Sequence, residues 1–332
     1  MHHKRFLNNQ GLVQWVILLV VLVVGAVLAL NLQALRDYAR LRGYEPSATV
    51  AALADQTTMT DEARKLFYVN HPVLADRSHF SGQCTSRGEQ TIVLGCYKPV
   101  DRGIFLFDVQ DERLDGVEQV TAAHEMLHAA YDRLSGRERD AIDVQLQNFY
   151  NERIKNTDER LRGTIAAYEK SEPNDVSNEM HSIFATEVAE LPDELESYYK
   201  RYFQDRSKVI AYADTYRSEF TARQEKVRLY DLQLMSIKDR INANKAELQE
   251  RETDIRSTQQ QLEEYRQQDD IETYNSLVPI YNARVEGYNQ LVRTVQRDIA
   301  TYNRLVTERN QVASQVKELT ESISSAPQPI GQ

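Results

Sequence analysis

The sequence predicts an α+β domain, mostly helical with a small sheet, set between an N-terminal transmembrane helix and a C-terminal antiparallel coiled-coil hairpin. Three observations carry this prediction: a long apolar run near the N-terminus, two short strand-like runs followed by helix-patterned segments, and apolar heptads over the last third of the chain. Glycine (12) and proline (8) are scarce among the 332 residues, as long helices require.

The apolar run extends from Leu12 to Leu30 and is broken only by Gln14 and Gly25. As a helix it spans about 28 Å, close to the roughly 30 Å hydrocarbon core of a bilayer. A cleaved signal peptide would carry an apolar region of about 7 to 15 residues ending in a small-x-small site, so an uncleaved anchor is expected. This gives a short cytoplasmic tail at 1–11 and a transmembrane helix at 12–32. Lys4 and Arg5 before the helix are matched by Arg36, Arg40 and Arg42 after it, so charge does not orient it. The two cysteines, Cys84 and Cys96, lie close together and are compatible with one disulfide on the oxidising side of a membrane. A single-pass cell-membrane protein with an extracytoplasmic body is the resulting expectation. The net charge of -10 offers no basic stripe for phosphates, which argues against a nucleic-acid partner.

Within 33–205, residues 34–70 read as helical with a break near "GYEPSA". A capped helix is expected in "TTMTDEARKLFYVNHP", with Thr60 as N-cap, Asp61 and Glu62 in the first turn and Pro72 beyond the end. "TIVLGCY" (91–97) and "GIFLFDV" (103–109) are rich in β-branched and aromatic residues and are joined by "KPVDR", which suits a hairpin. A helix should follow Asp115-Gly116, run over 117–134 and stop at Ser135-Gly136. Further helices are expected over 137–170 and, after Pro173, over 175–203.

The segment 206–323 has a different pattern. Val227, Leu234, Ile241, Leu248, Ile255 and Leu262 recur every seven residues. In the next stretch Val278, Val285, Val292, Ile299 and Val306 form one such series, and Tyr274, Tyr281, Tyr288, Val295 and Tyr302 another. Asn275, Asn282, Asn289 and Asn303 follow the tyrosines as a polar ladder. The polar "RQQDDIET" between the halves predicts a hairpin with its tip near Asp269-Asp270, pairing of two chains being the alternative. Pro279 should kink or delay the second helix. The coil reads as a spacer or as an arm for a coiled-coil partner or a second copy. A disordered tail is expected at 324–332.

The chemistry lies in "TAAHEMLHAAYDRL" (121–134). Positions i and i+4 of a helix share a face one turn apart, so His124 and His128 can present two imidazole nitrogens to one metal ion. Glu125 beside that face can take a proton from a metal-bound water, and zinc is the expected cofactor. Val117, Val120, Leu127, Tyr131 and Leu134 share the histidines' side of the helix and point it inward.

At these residues the chain resembles the zincin metallopeptidases, and most of all the gluzincin branch, in which a glutamate on a later helix is the third metal ligand. The resemblance is carried by "HEMLH", by the strand "GIFLFDV" placed like that fold's substrate-binding edge strand, and by an acidic helix downstream; it covers about residues 55–205. It implies a zincin-like catalytic domain that hydrolyses peptide or protein substrates, with Glu125 as general base. The third ligand is sought in "SNEMHSIFATEVAELP". Met180, Ile183, Phe184, Val188 and Leu191 form an apolar stripe with Glu187 near its centre, and a buried carboxylate needs a partner, so Glu187 is the first candidate. Glu179 is the second. Asn178-Glu179 is similar to the "NE" of thermolysin-like enzymes, although their following Ser-Asp is replaced here by Met180-His181-Ser182-Ile183. His181 is an alternative ligand or a donor to the transition-state oxyanion. The competing class is a membrane-tethered coiled-coil scaffold or adhesion protein whose zincin-like domain is structural and inactive.

Overall fold

The computed structural model describes residues 9–84, 93–100 and 103–325. The protein is mostly helical, with a small three-stranded sheet and a long C-terminal helix pair. It divides into two compact units. The first takes the chain up to Gln110, Asp115–Asp214 and the residues from Ser324 onward; the second takes Asp111–Leu114 and Thr215–Ile323.

The N-terminal helix α1 (Asn9–Leu30) corrects an expectation. Among the described residues no helix is long and apolar enough to cross a membrane. The transmembrane span at 12–32, the single-pass cell-membrane location and the extracytoplasmic placement that rested on it are therefore not supported. Most of the cytoplasmic tail expected at 1–11, and residues 326–332 of the expected disordered tail, lie outside the described residues.

In the first unit, α2 (Leu32–Leu41) and α3 (Ala48–Gln56) precede α4 (Asp61–Val69). The last begins as expected, with the Thr60 hydroxyl accepting from the Ala63 amide at 3.2 Å. Strand β1 (Val73–Ala75) leads through α5 (Arg77–Gln83) to β2 (Gly95–Lys98) and β3 (Gly103–Phe107). The order is β1-β3-β2, with β3 parallel to β1 and antiparallel to β2. β3 is thus the central strand, where the sequence comparison had put an edge. Ile104 and Leu106 are buried from one face of it. On the other face Phe107 packs on Phe80 of α5, within a cluster that includes Cys84, Cys96 and Phe105.

Next comes α6 (Val117–Asp132), which carries the histidine motif and is buried on nearly every side. It packs against β2, β3, α3, α4 and a later helix, α10. A helix apolar all round belongs at the centre of a core, and here alanines, Met126 and Leu127 supply the contacts. Its start requires glycine: Gly116 has φ 100°, and a Cβ there would meet the Tyr212 carbonyl oxygen at 2.6 Å. Its far end is held by Arg133, which donates to both oxygens of buried Asp37 at 2.7 and 3.1 Å.

The two long helices expected downstream are broken into pieces. α7 (Gly136–Phe149) starts with a capping box between Ser135 and Glu138 and runs through a π-turn at Tyr150–Ile154 into the short α8 (Lys155–Thr157). Asp158 then caps a new helix, α9 (Glu159–Ser171), by accepting from the Leu161 amide at 2.8 Å. α10 (Val176–Glu187) ends where Val188 turns extended, and α11 (Asp193–Tyr199) starts after Pro192. Buried Arg206 ties the two by donating to the carbonyls of Val188 (2.6 Å) and Ala189 (2.9 Å) and to Glu196. The unit closes on itself where Thr58–Thr60 meets residues 201–205: Met59 bridges Phe203, and the Thr58 and Thr60 hydroxyls donate to the Asp205 and Arg201 carbonyls.

The helix pair consists of α12 (Arg206–Gln267) and α13 (Ile271–Ile323), α12 contributing its residues from Thr215 onward to the second unit. Arg240 pairs with Asp298 at 2.8 Å and Asp231 with Arg309 at 3.1 Å, so advance along one helix matches retreat along the other and the pair is antiparallel. The turn falls at the expected tip, with Asp269 in the left-handed region (φ 57°) and Asp270 capping α13 through the Thr273 amide. Pro279 does not delay α13, which starts before it and runs past it as one helix. Ile237, Ile241 and Leu305 form a core cluster with Leu234, Tyr230 and Tyr302 against it, and Val295, Val312 and Leu319 are buried further along. Toward the C-terminal end the seam therefore follows Val295, Leu305, Val312 and Leu319, leaving Ile299 exposed.

Candidate metal centre

Helix α6 brings His124, Glu125 and His128 together, with one potential ligand atom of each within 4.8 Å of the others, a group that can hold a metal ion. The two imidazoles stand edge to face, centroids 4.6 Å apart, as i and i+4 neighbours should.

Helix α10 packs across α6 here. Of the two glutamates considered there, Glu179 is the one that reaches the histidines. Its Oε1 lies 3.5 Å from His128 Nε2 and its Oε2 3.6 Å from His124 Nε2. Oε2 is buried without a hydrogen bond of normal geometry. Burial alone would push this carboxyl upward, but His128 first and then His124 hold it below the usual carboxylate range. A metal with bonds of about 2.0–2.1 Å and tetrahedral angles separates its ligand atoms by about 3.4 Å. Each of the two contacts, to its own carboxylate oxygen, is near that separation.

Two neighbours complete the arrangement. Asn178, beside Glu179, places its Oδ1 2.9 Å from His128 Nδ1, with Ser182 Oγ at 3.4 Å. Accepting a hydrogen there leaves Nε2 with its lone pair toward the metal position and fixes the ring. On the other side Gly95 of β2 touches the general-base candidate. A Cβ at 95 would lie 2.6 Å from Glu125 Oε1 and 2.6 Å from Thr121 Cγ2, so only glycine permits this approach. Motif reasoning had missed both residues. Asn178 was signalled by the "NE" dipeptide, whereas Gly95 carried no sequence signal beyond being a glycine in a strand.

Glu187, the first candidate for third ligand, is placed elsewhere. It ends α10, about 12 Å along the axis from Glu179, and its carboxylate pairs with Arg160 at 2.6 Å. The stripe argument selected it because an apolar neighbourhood was taken to mark the buried face. In fact α10 is buried without a break from Glu179 to Thr186. His181 also points away from the histidine pair. It is fully buried among Tyr131, Tyr198, Tyr199 and Tyr202, with Nε2 2.9 Å from the Tyr198 hydroxyl. Burial, followed by the charges of His128 and His124, pushes its pKa down to about 3, so it stays neutral. Cys84 and Cys96 are joined by a disulfide, with Cα atoms 5.9 Å apart.

Comparison with known proteins gives no further guide: no family model matches the chain, and no curated protein or solved structure is significantly similar to it.

Proposed function

We propose that the protein is a metallopeptidase that hydrolyses peptide bonds with water activated at this centre. The observation that carries the reading is the Glu179 carboxylate set across two imidazole nitrogens at 3.5 and 3.6 Å, drawn from a second helix and left with an orphaned oxygen. His124, His128 and Glu179 would hold the ion. Two imidazoles and one carboxylate are a donor set that favours zinc, with a fourth position left for water or substrate.

Zinc, when bound, supplies Lewis acidity that brings the pKa of water toward neutrality and polarises a carbonyl. The chain's own residues do the rest. Glu125 accepts the water's proton and returns it to the departing amine, which is general base and then general acid work. Asn178 keeps His128 in the tautomer that ligates. Gly95 lets β2 lie directly beside Glu125. Among the described strands β2 has β3 on one side only, so an extended peptide can add to its outer edge and bring a scissile carbonyl to the base.

A scaffold with an inactive metal site is the competing reading, favoured by the length of the helix pair. A structural site, however, has no use for a buried carboxylate at Glu125. Elemental analysis after dialysis, combined with hydrolysis of labelled casein, separates the two. We expect about one zinc per chain, retained in Glu125→Gln, while hydrolysis in that variant falls by about 10²–10⁴-fold. Failure to take up zinc even when folded in its presence would overturn the metallopeptidase reading.

A further inference from the structure

The strand that abuts the general base also carries half of the disulfide. Gly95 and Cys96 are consecutive in β2, and their side chains alternate across the sheet. At Gly95 the strand touches Glu125 and Thr121 of α6. At Cys96 it faces the opposite way and is bonded to Cys84, the residue that ends α5. The same covalent link therefore sets how far β2 stands from the Glu125 carboxylate.

Among the described residues β2 is also held by its packing on α6 and β3, and the Ser325 hydroxyl donates to the Val93 carbonyl just before it. The strand has four residues and pairs with β3 alone among the described strands. Lys98 Nζ donates to Gln83 Oε1 at 3.2 Å, and the Tyr97 hydroxyl to Asp132 at 3.1 Å, both single side-chain hydrogen bonds near the surface. The proposed ligands have separate support: His124, His128 and Glu179, with Asn178 behind His128, belong to α6 and α10, which pack on each other directly.

We propose that the Cys84–Cys96 disulfide is a redox control on the base: oxidised, it presses β2 against Glu125; reduced, it releases the strand and stops hydrolysis while the metal stays bound. This rests on the metallopeptidase reading for its effect on rate, though not for its effect on the strand. The reductant is a dithiol. One of its thiolates attacks a protein sulfur to form a mixed disulfide, and its second thiol then closes the small molecule's own disulfide. Two electrons and two protons pass to the protein, leaving Cys84 and Cys96 as thiols. Cys96 is half-buried, so one sulfur faces the surface more than the other.

The test treats the zinc-loaded full chain with excess dithiothreitol, removes the reagent anaerobically, and compares it with the untreated chain by three readings. Hydrogen exchange should show amides 95–98 losing at least about tenfold in protection, since strand opening no longer works against a cross-link. Zinc content should remain unchanged. Casein hydrolysis should fall about 10²-fold in kcat, the cost of misplacing a catalytic group by about 1 Å, and return on reoxidation. Equal protection of β2 in the two states overturns the proposal, as does loss of zinc on reduction, which would make the disulfide a support for the whole centre. A Cys84→Ser/Cys96→Ser chain should match the reduced protein in all three readings. If neither state hydrolyses casein but β2 loosens with zinc retained, the peptidase reading fails and the control of the strand stands.

Discussion

The α6–α10 centre and the α12–α13 pair are each two helices facing one another, yet they are held together by opposite means. Between α6 and α10 the contact is polar at its heart: Glu125, His128, Glu179, His181 and Ser182 are all buried there, and no position repeats the surroundings of another. Between α12 and α13 the contact is a repeated apolar seam flanked by exposed ion pairs, in which any one heptad resembles the next. The first arrangement places a few atoms to within fractions of an ångström; the second tolerates substitution because no single position is special. A buried polar cluster of this kind costs stability unless every member is satisfied.

The largest test of this contrast is at the ligands. Asn178→Ala should weaken zinc affinity by about 10–100-fold, the usual cost of losing a ligand's hydrogen-bond partner, and Glu179→Ala should weaken it by more. Glu187→Ala should leave it unchanged. Competition with a chromophoric chelator measures all three, and full-affinity binding in Glu179→Ala would remove that residue from the centre. A second experiment asks whether the two regions are energetically separate. Leu305→Ala should lower the unfolding free energy of the helix pair by about 2–4 kcal/mol, read by circular dichroism in denaturant, with zinc content unaltered. Coupled loss of zinc would show that the repeated seam and the singular centre are not independent.

The smallest expected effect comes from His181. Its folded pKa of about 3 lies below the 6.5 of an unperturbed histidine. The unfolded chain therefore binds the extra proton first as pH falls. Stability from this group is complete above pH 6.5 and drains below it, by up to about 1.4 kcal/mol per pH unit, until the folded form also titrates near pH 3. Replacing it by phenylalanine, which suits its ring of tyrosines, should flatten the loss of metal-free stability between pH 6.5 and 5. An unchanged slope would mean that other groups govern the acid limb.

What could be read from the chain follows the same division. Heptads are local and repeat, so the hairpin and its Asp269-Asp270 tip were visible from spacing alone. The paired histidines and Glu125 were visible for a similar reason, since i and i+4 lie on one face of any helix. Glu179 was not separable from Glu187 by pattern, because the choice depended on how α10 crosses α6, fifty residues apart in sequence, and α10 has no exposed side there to betray its orientation. The break at Asp158 is hidden because helix periodicity continues on both sides and only the capping contact reveals it, whereas at Pro192 the proline itself was the available signal. β3 was taken for an edge strand because nothing in "GIFLFDV" says which neighbour will pair with it; β1, three residues long, supplied the second partner.

The seam between Thr58–Thr60 and residues 201–205 has a consequence for how the protein is made. The Thr58 hydroxyl and its partner at Asp205 are 147 positions apart, so at about 5–20 residues per second the ribosome works for roughly 7–30 s between adding one side of that closure and adding the other. Through that interval α6 has emerged without the turn of α12 that abuts Gly116, and the histidines have emerged before Asn178 and Glu179. His124 and His128 are thus synthesised well before the segment just past α11 that closes this seam.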